Sequence, residues 1–143
     1  MRKNGESQAK NARIVARESK KWRVMVVDDE QDITSIFKIG LEGNGFQVNV
    51  YNDPEKALQK FKPGAYDILL LDVRMPGISG FELYHELRKR DENVKVCFLT
   101  AFEMYCKEFS STFPDLDEVK CFIKKPILMK DLLKRLAAIL EPS

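Results

Sequence analysis

Residues 69–83 read LLLDVRMPGISGFEL, and the fold turns on this stretch. A strand candidate over 67–71 is apolar from Ile68 onward and stops at Asp72; a segment of helical period over 81–90 then ends on Arg88, Lys89 and Arg90. A short unbroken apolar run is the pattern of a strand covered on both faces, and a basic last turn suits a helix dipole.

The same alternation extends in both directions. Runs rich in Val, Ile, Leu and Phe at 22–27, 46–51, 94–99 and 119–123 bring the strand candidates to five. Ile33, Ile36, Phe37, Gly40 and Leu41 fall at helical spacing and predict a first helix whose stripe faces a core, stopping at Gly43-Asn44-Gly45. Asp53 before Pro54 reads as an N-cap with proline in the first turn, and Pro63-Gly64 closes that helix. A fourth helix is read from Phe102, Cys106, Phe109 and Phe113, ahead of the helix-breaking Pro114. A fifth over 129–140 sets Leu132, Leu136 and Ile139 on one side. Strands alternating with helices predict an α/β protein, a doubly wound parallel sheet of five strands with five helices.

At 143 residues and 44% apolar composition the chain accommodates one domain of ordinary size. The whole-chain net charge is only +2, but residues 1–23 carry eight Lys/Arg against Glu6 and Glu18, leaving the rest at about −4. Residues 1–21 are therefore expected to be a basic arm or linker, with 22–143 as the folded domain; nucleic acid would be reachable only through the arm. Three cysteines without a C-x-x-C pair, in a chain long enough to form a core, read as reduced, mostly buried thiols. No apolar run approaches the roughly 18 residues that cross a bilayer, so a cytoplasmic location and no membrane partner are expected.

In an open parallel sheet, ligands bind beyond the carboxyl ends of the strands, where strand order reverses. The first strand ends in Asp28-Asp29-Glu30, the third in Asp72, the fourth in Thr100 and the fifth in Lys124-Lys125-Pro126. With strand order 2-1-3-4-5, carboxylates, a hydroxyl and an ammonium converge on one edge. Crowded carboxylates repel, and a hard divalent cation with oxygen ligands, Mg²⁺ above all, relieves the repulsion. A carboxylate beside a metal and a lysine can accept a phosphoryl group as an acyl phosphate.

The strings VVDDE at 26–30, LLLDVRMPGISGFEL at 69–83, FLTA at 98–101 and FIKKP at 122–126 together resemble the receiver domain of two-component response regulators, over about 22–141. The resemblance implies a CheY-like, flavodoxin-like order 2-1-3-4-5. It makes Asp72 the phosphoacceptor, assigns Asp28, Asp29, Asp72 and the Arg74 carbonyl to Mg²⁺, and names Asp72, Lys125 and Thr100 as the groups that carry the chemistry. Thr100 and Phe122 would be the switch pair, and the Lys125-Pro126 bond would be cis. Arg74 and Phe102 would flank the approach of water to the acyl phosphate.

The implied partners are a histidine kinase or phosphotransfer protein and a downstream protein reading the fourth helix, fifth strand and fifth helix. The stretch 101–120, longer than is usual in receivers, suggests a partner of its own. Such a module catalyses only its own phosphorylation and dephosphorylation. One alternative is an aspartyl-phosphate phosphatase on a related sheet, but that needs an Asp two residues after the nucleophile, where Arg74 stands. The other is a pseudo-receiver that never takes phosphate. No phosphate-binding G-x-x-x-x-G-K-[ST] occurs.

Overall fold

Five short strands rich in Val, Ile and Leu pair side by side because their backbone groups, once buried, must find partners in one another. The computed structural model describes residues 21–101 and 121–141. In chain order these hold β1 (Arg23–Val27), α1 (Gln31–Glu42), β2 (Gln47–Tyr51), α2 (Pro54–Lys60), β3 (Ile68–Asp72), α3 (Gly80–Arg90), β4 (Lys95–Thr100), β5 (Phe122–Lys124) and α4 (Met129–Leu140). The sheet order is β2-β1-β3-β4-β5 and every pairing is parallel. The expected α/β architecture and strand order are thus those observed. Among the described residues there are four helices; the predicted fourth helix over 102–113 and residues 1–20 of the expected arm lie outside them. No helix among the described residues is long and apolar enough to cross a membrane.

Successive residues of a strand point to opposite faces, so each buried strand serves two cores. On one face Val24, Val26, Leu70, Leu99 and Ile123 pack with Phe37 and Leu41 of α1 and Leu132 and Leu136 of α4. On the other, Met25, Leu69, Leu71 and Phe98 pack with Ala57 of α2 and Phe81, Leu83 and Leu87 of α3. Each fully buried Leu, Val or Phe contributes about 1.5–3 kcal/mol relative to an exposed one, which is why helices with ordinary propensities are held in place.

Local signals set the helix starts. Asp53 accepts from the Glu55 N–H at 2.9 Å with Pro54 in the first turn, as its sequence predicted. At α3, Ser79 and Glu82 form a reciprocal capping box, one residue earlier than the periodicity alone suggested.

Three expectations need correction. The first-helix stripe divides: Phe37 and Leu41 are buried, whereas Ile36 is 59% exposed, and so is Ile39 at 74%. A helix leaning on a sheet buries a narrower arc than five apolar positions cover. Strand β5 is Phe122–Lys124, so Cys121 falls outside it and Lys124 inside, while residues 119 and 120 lie outside the described residues. And the cysteines are not all free thiols: Cys97 and Cys121 are joined as a disulfide on the core face beneath α4.

Candidate functional site

Strand ends carry the polar groups because the sheet's ladder delivers them there. Asp28 follows β1, Asp72 closes β3 and Thr100 closes β4, and all three are buried, at 0%, 4% and 6% exposure. Asp29, next in sequence, faces solvent. Lys125 follows β5; its backbone N–H donates to the Thr100 carbonyl at 2.7 Å, prolonging the β4–β5 ladder, and the Lys125-Pro126 peptide bond is cis.

The Lys125 ammonium then turns inward. Its Nζ lies 2.9 Å from Asp28 Oδ2, 3.1 Å from Glu30 Oε1 and 3.4 Å from Asp72 Oδ1. Asp28 uses its other oxygen, Oδ1, to accept the Glu30 N–H at 2.9 Å, so it shapes the turn after β1 rather than capping α1. Carboxylate oxygens of Asp28, Asp29 and Asp72 all fall within 4.8 Å of one another. Asp29, Glu30, Asp72, Arg74, Thr100, Ala101 and Lys125 line the crevice above them.

Four carboxylates, those of Asp28, Asp29, Glu30 and Asp72, surround the single Lys125 ammonium, with Arg74 at the rim, and leave the crevice short of positive charge. Burial, and after it the neighbouring Asp28 carboxylate, push Asp72 from 3.8 up to about 7, even though Lys125 pulls the other way. Burial works against the charged form of Lys125 too, but Asp28, Asp72 and Glu30 outweigh it and hold the lysine above its ordinary range. Lys125 therefore stays protonated while Asp72 is only partly ionised near neutrality. Clustered carboxylate oxygens with an unmet demand for positive charge are a donor set suited to a hard divalent cation.

The residues singled out from sequence at strand ends thus meet in space: Asp28, Asp29, Asp72, Thr100 and Lys125 share one crevice, with Arg74 at its rim. Phe122 stands apart, partly buried on the opposite side of β5, its ring stacked on Phe98 with centroids 5.5 Å apart and edge-on to Phe81 at 6.4 Å. Phe102 lies outside the described residues.

Three contributors escaped the sequence reading. Glu30, third of the acidic string, reaches Lys125. Asn52 ties the turn down, its Nδ2 donating to the Asp28 carbonyl at 2.8 Å and to Thr34 Oγ1 at 2.9 Å. Gly80 lets α3 approach the end of β3: a Cβ there would collide with the Asp72 carbonyl oxygen. A glycine at a helix start hints at close approach, but nothing in the sequence links Asn52 to Asp28.

Known proteins bear on this arrangement. The family model described as the response regulator receiver domain matches residues 24–137. Transcriptional regulatory protein TrcR of Mycobacterium tuberculosis is 31% identical over 121 residues, which is 85% of this chain and 46% of TrcR. An uncharacterised transcriptional regulatory protein of Bacillus subtilis, YkoG, is 30% identical over 85% of this chain and 52% of its own length. The chain thus spans about half the length of these relatives. Among solved structures, response regulator protein TrrA of Thermotoga maritima, in complex with Mg²⁺-BeF, aligns with a TM-score of 0.70 and 32% identity over 83% of this chain and 99% of TrrA. TrrA in complex with the histidine kinase ThkA aligns at 33% identity and the same TM-score, over 84% of this chain and 99% of that one. The family match, the strand order and the acidic crevice agree: this chain belongs to the response regulator receiver domain family.

Proposed function

We propose that the chain is a phosphorylation-dependent signalling module that accepts a phosphoryl group on Asp72 from a histidine kinase or phosphotransfer partner. The observation that carries this reading is the meeting of Lys125 with Asp72 at 3.4 Å and Asp28 at 2.9 Å beside a cluster of carboxylate oxygens. The complexes of TrrA with Mg²⁺-BeF and with a histidine kinase support carrying both partners over.

In this reading an ionised Asp72 oxygen attacks phosphorus, the bond from phosphorus to the donor breaks, and the donor leaves with the electron pair. Asp28, Asp29 and Asp72 through their carboxylates, and Arg74 through its carbonyl, would hold Mg²⁺. When bound, Mg²⁺ would supply the positive charge that the four carboxylates and one lysine lack. The Lys125 ammonium, already protonated, pairs with the phosphoryl oxygens. The Thr100 hydroxyl turns toward the same oxygens, and Phe122 follows into the space vacated. The face carrying β5 and α4 is thereby altered for a downstream protein. Residues 22–143 form the module, residues 1–21 an arm ahead of it, and the protein works in the cytoplasm.

The test is incubation with Mg²⁺ and acetyl phosphate, read by intact mass. Wild type is expected to gain one phosphoryl group and Asp72→Asn none. A phosphorylated Asp72→Asn protein would move the site, and a wild type that never gained phosphate would favour a pseudo-receiver.

A further inference from the structure

The phosphorylation reading leaves one buried reactive pair unused. Phe98 and Phe122 are register partners across β4 and β5, so Cys97 and Cys121, one residue earlier on each side, are neighbours across the same ladder. Their Cα atoms are 4.7 Å apart, inside the range of about 4.4–6.8 Å that a disulfide spans. Both belong to the core face with Leu99 and Ile123. The two residues are 24 apart in sequence, so only the sheet brings them together.

A second observation separates the two sulfurs. Arg135, on the exposed side of α4, reaches over the sheet edge, its guanidinium donating to Cys121 Sγ at 3.4 Å and to the Phe122 carbonyl at 3.1 Å. A cationic donor favours thiolate over thiol. Cys97 is fully buried within the apolar core cluster, a setting that disfavours a thiolate. Cys121 is 4% exposed and flanks β5, the edge strand of the sheet. Only a small oxidant fits such a site.

We propose that Cys97 and Cys121 form a reversible thiol–disulfide site, oxidised by hydrogen peroxide, that ties β4 to β5 beneath Thr100 and Phe122. The Cys121 thiolate attacks one peroxide oxygen, the O–O bond breaks, and the departing hydroxide takes up a proton to leave as water, giving a sulfenic acid at Cys121. The Cys97 sulfur then attacks the Cys121 sulfur, loses its proton and displaces the hydroxyl as a second water. Two thiols and one peroxide thus become one disulfide and two waters, and an external thiol reverses the reaction. The tie sits one residue before the Phe98–Phe122 stack, so the oxidised form restrains β5 where the switch pair would move. That last consequence rests on the phosphorylation reading; the redox site itself does not.

The full-length protein is reduced, freed of reductant, treated with hydrogen peroxide, quenched, then denatured and alkylated with N-ethylmaleimide. The chain has three cysteines. Three adducts are expected before peroxide and one afterwards, on Cys106, with three restored by dithiothreitol. Cys97→Ser should stop at a sulfenic acid on Cys121 that dimedone traps, and Arg135→Gln should slow disulfide formation roughly five- to tenfold at neutral pH, with partial rescue by Arg135→Lys. Three adducts retained after peroxide, a bond through Cys106, or an unaltered rate in Arg135→Gln would overturn the proposal. None of these readouts involves phosphate, so their failure leaves the assignment of Asp72 standing.

Discussion

Leu70 and Asp72 stand two residues apart on β3 and are buried alike, at 0% and 4% exposure, yet burial acts on them in opposite directions. Leu70 sits mid-strand among Val24, Leu99 and Phe37, where loss of water is favourable. Asp72 sits at the strand's carboxyl end beside Asp28, where loss of water raises its pKa to about 7. One sheet therefore holds a region built for stability and a region that works against it. The second is tolerable only because the first is extensive, and the proposed phosphoacceptor lies where folding is opposed.

Replacing Leu70 with alanine should produce the largest effect, a loss of about 3–5 kcal/mol, because both faces of the sheet are closed and the cavity cannot collapse. Urea unfolding measures it. A loss under about 1 kcal/mol would mean that the core around β3 is looser than its burial indicates.

Gly80→Ala joins the two regions, since the added Cβ meets the carbonyl of Asp72 rather than a yielding side chain. It should cost about 1–3 kcal/mol and reduce phosphoryl uptake at Asp72 in the same protein. Normal uptake together with full stability would show that α3 can shift without disturbing the end of β3.

Asp72→Asn should act in the opposite sense to Leu70→Ala. A carboxyl whose folded pKa is raised binds more protons folded than unfolded between its ordinary 3.8 and about 7. Its contribution to stability therefore falls as pH rises through that window and is fully lost above it. In chelator, Asp72→Asn should melt a few degrees above wild type at about pH 8, with the gap closing near pH 4. Added Mg²⁺ should raise the wild-type midpoint and move the variant less. A gap that widened toward low pH would reverse the sign derived for Asp72.

Deleting residues 1–20 should matter least, under about 0.5 kcal/mol, since Ile14 and Val15 are the largest aliphatic side chains there and supply little apolar surface. Calorimetry of the shortened protein decides this. A large drop in midpoint would assign the arm a place against the folded domain.

The order of the described elements and the convergence of the candidate site's residues were legible because they depend on local rules. Apolar runs of strand length, a proline after Asp53 and carboxylates at run ends carry their meaning within a few residues. Asp28, Asp72, Thr100 and Lys125 could be placed on one edge because parallel strands all point their carboxyl ends the same way. Less of α1 was legible. Its five apolar positions span more of the helix surface than the sheet can cover, so Ile36 reads as core in sequence and stands in solvent.

Sequence alone therefore determined the strands, the strand-end acids and the lysine, since periodicity and chain direction are properties of neighbouring residues. Tertiary structure alone decided which partners those groups take. Glu30 and Asp28 compete for the Lys125 ammonium across 95 and 97 residues, Asn52 supports the Asp28 turn from 24 residues away, and Cys121 meets Cys97 rather than the nearer Cys106. Such pairings depend on strand register and on distances of a few ångströms, and both arise only when the sheet closes and every strand competes for the same core.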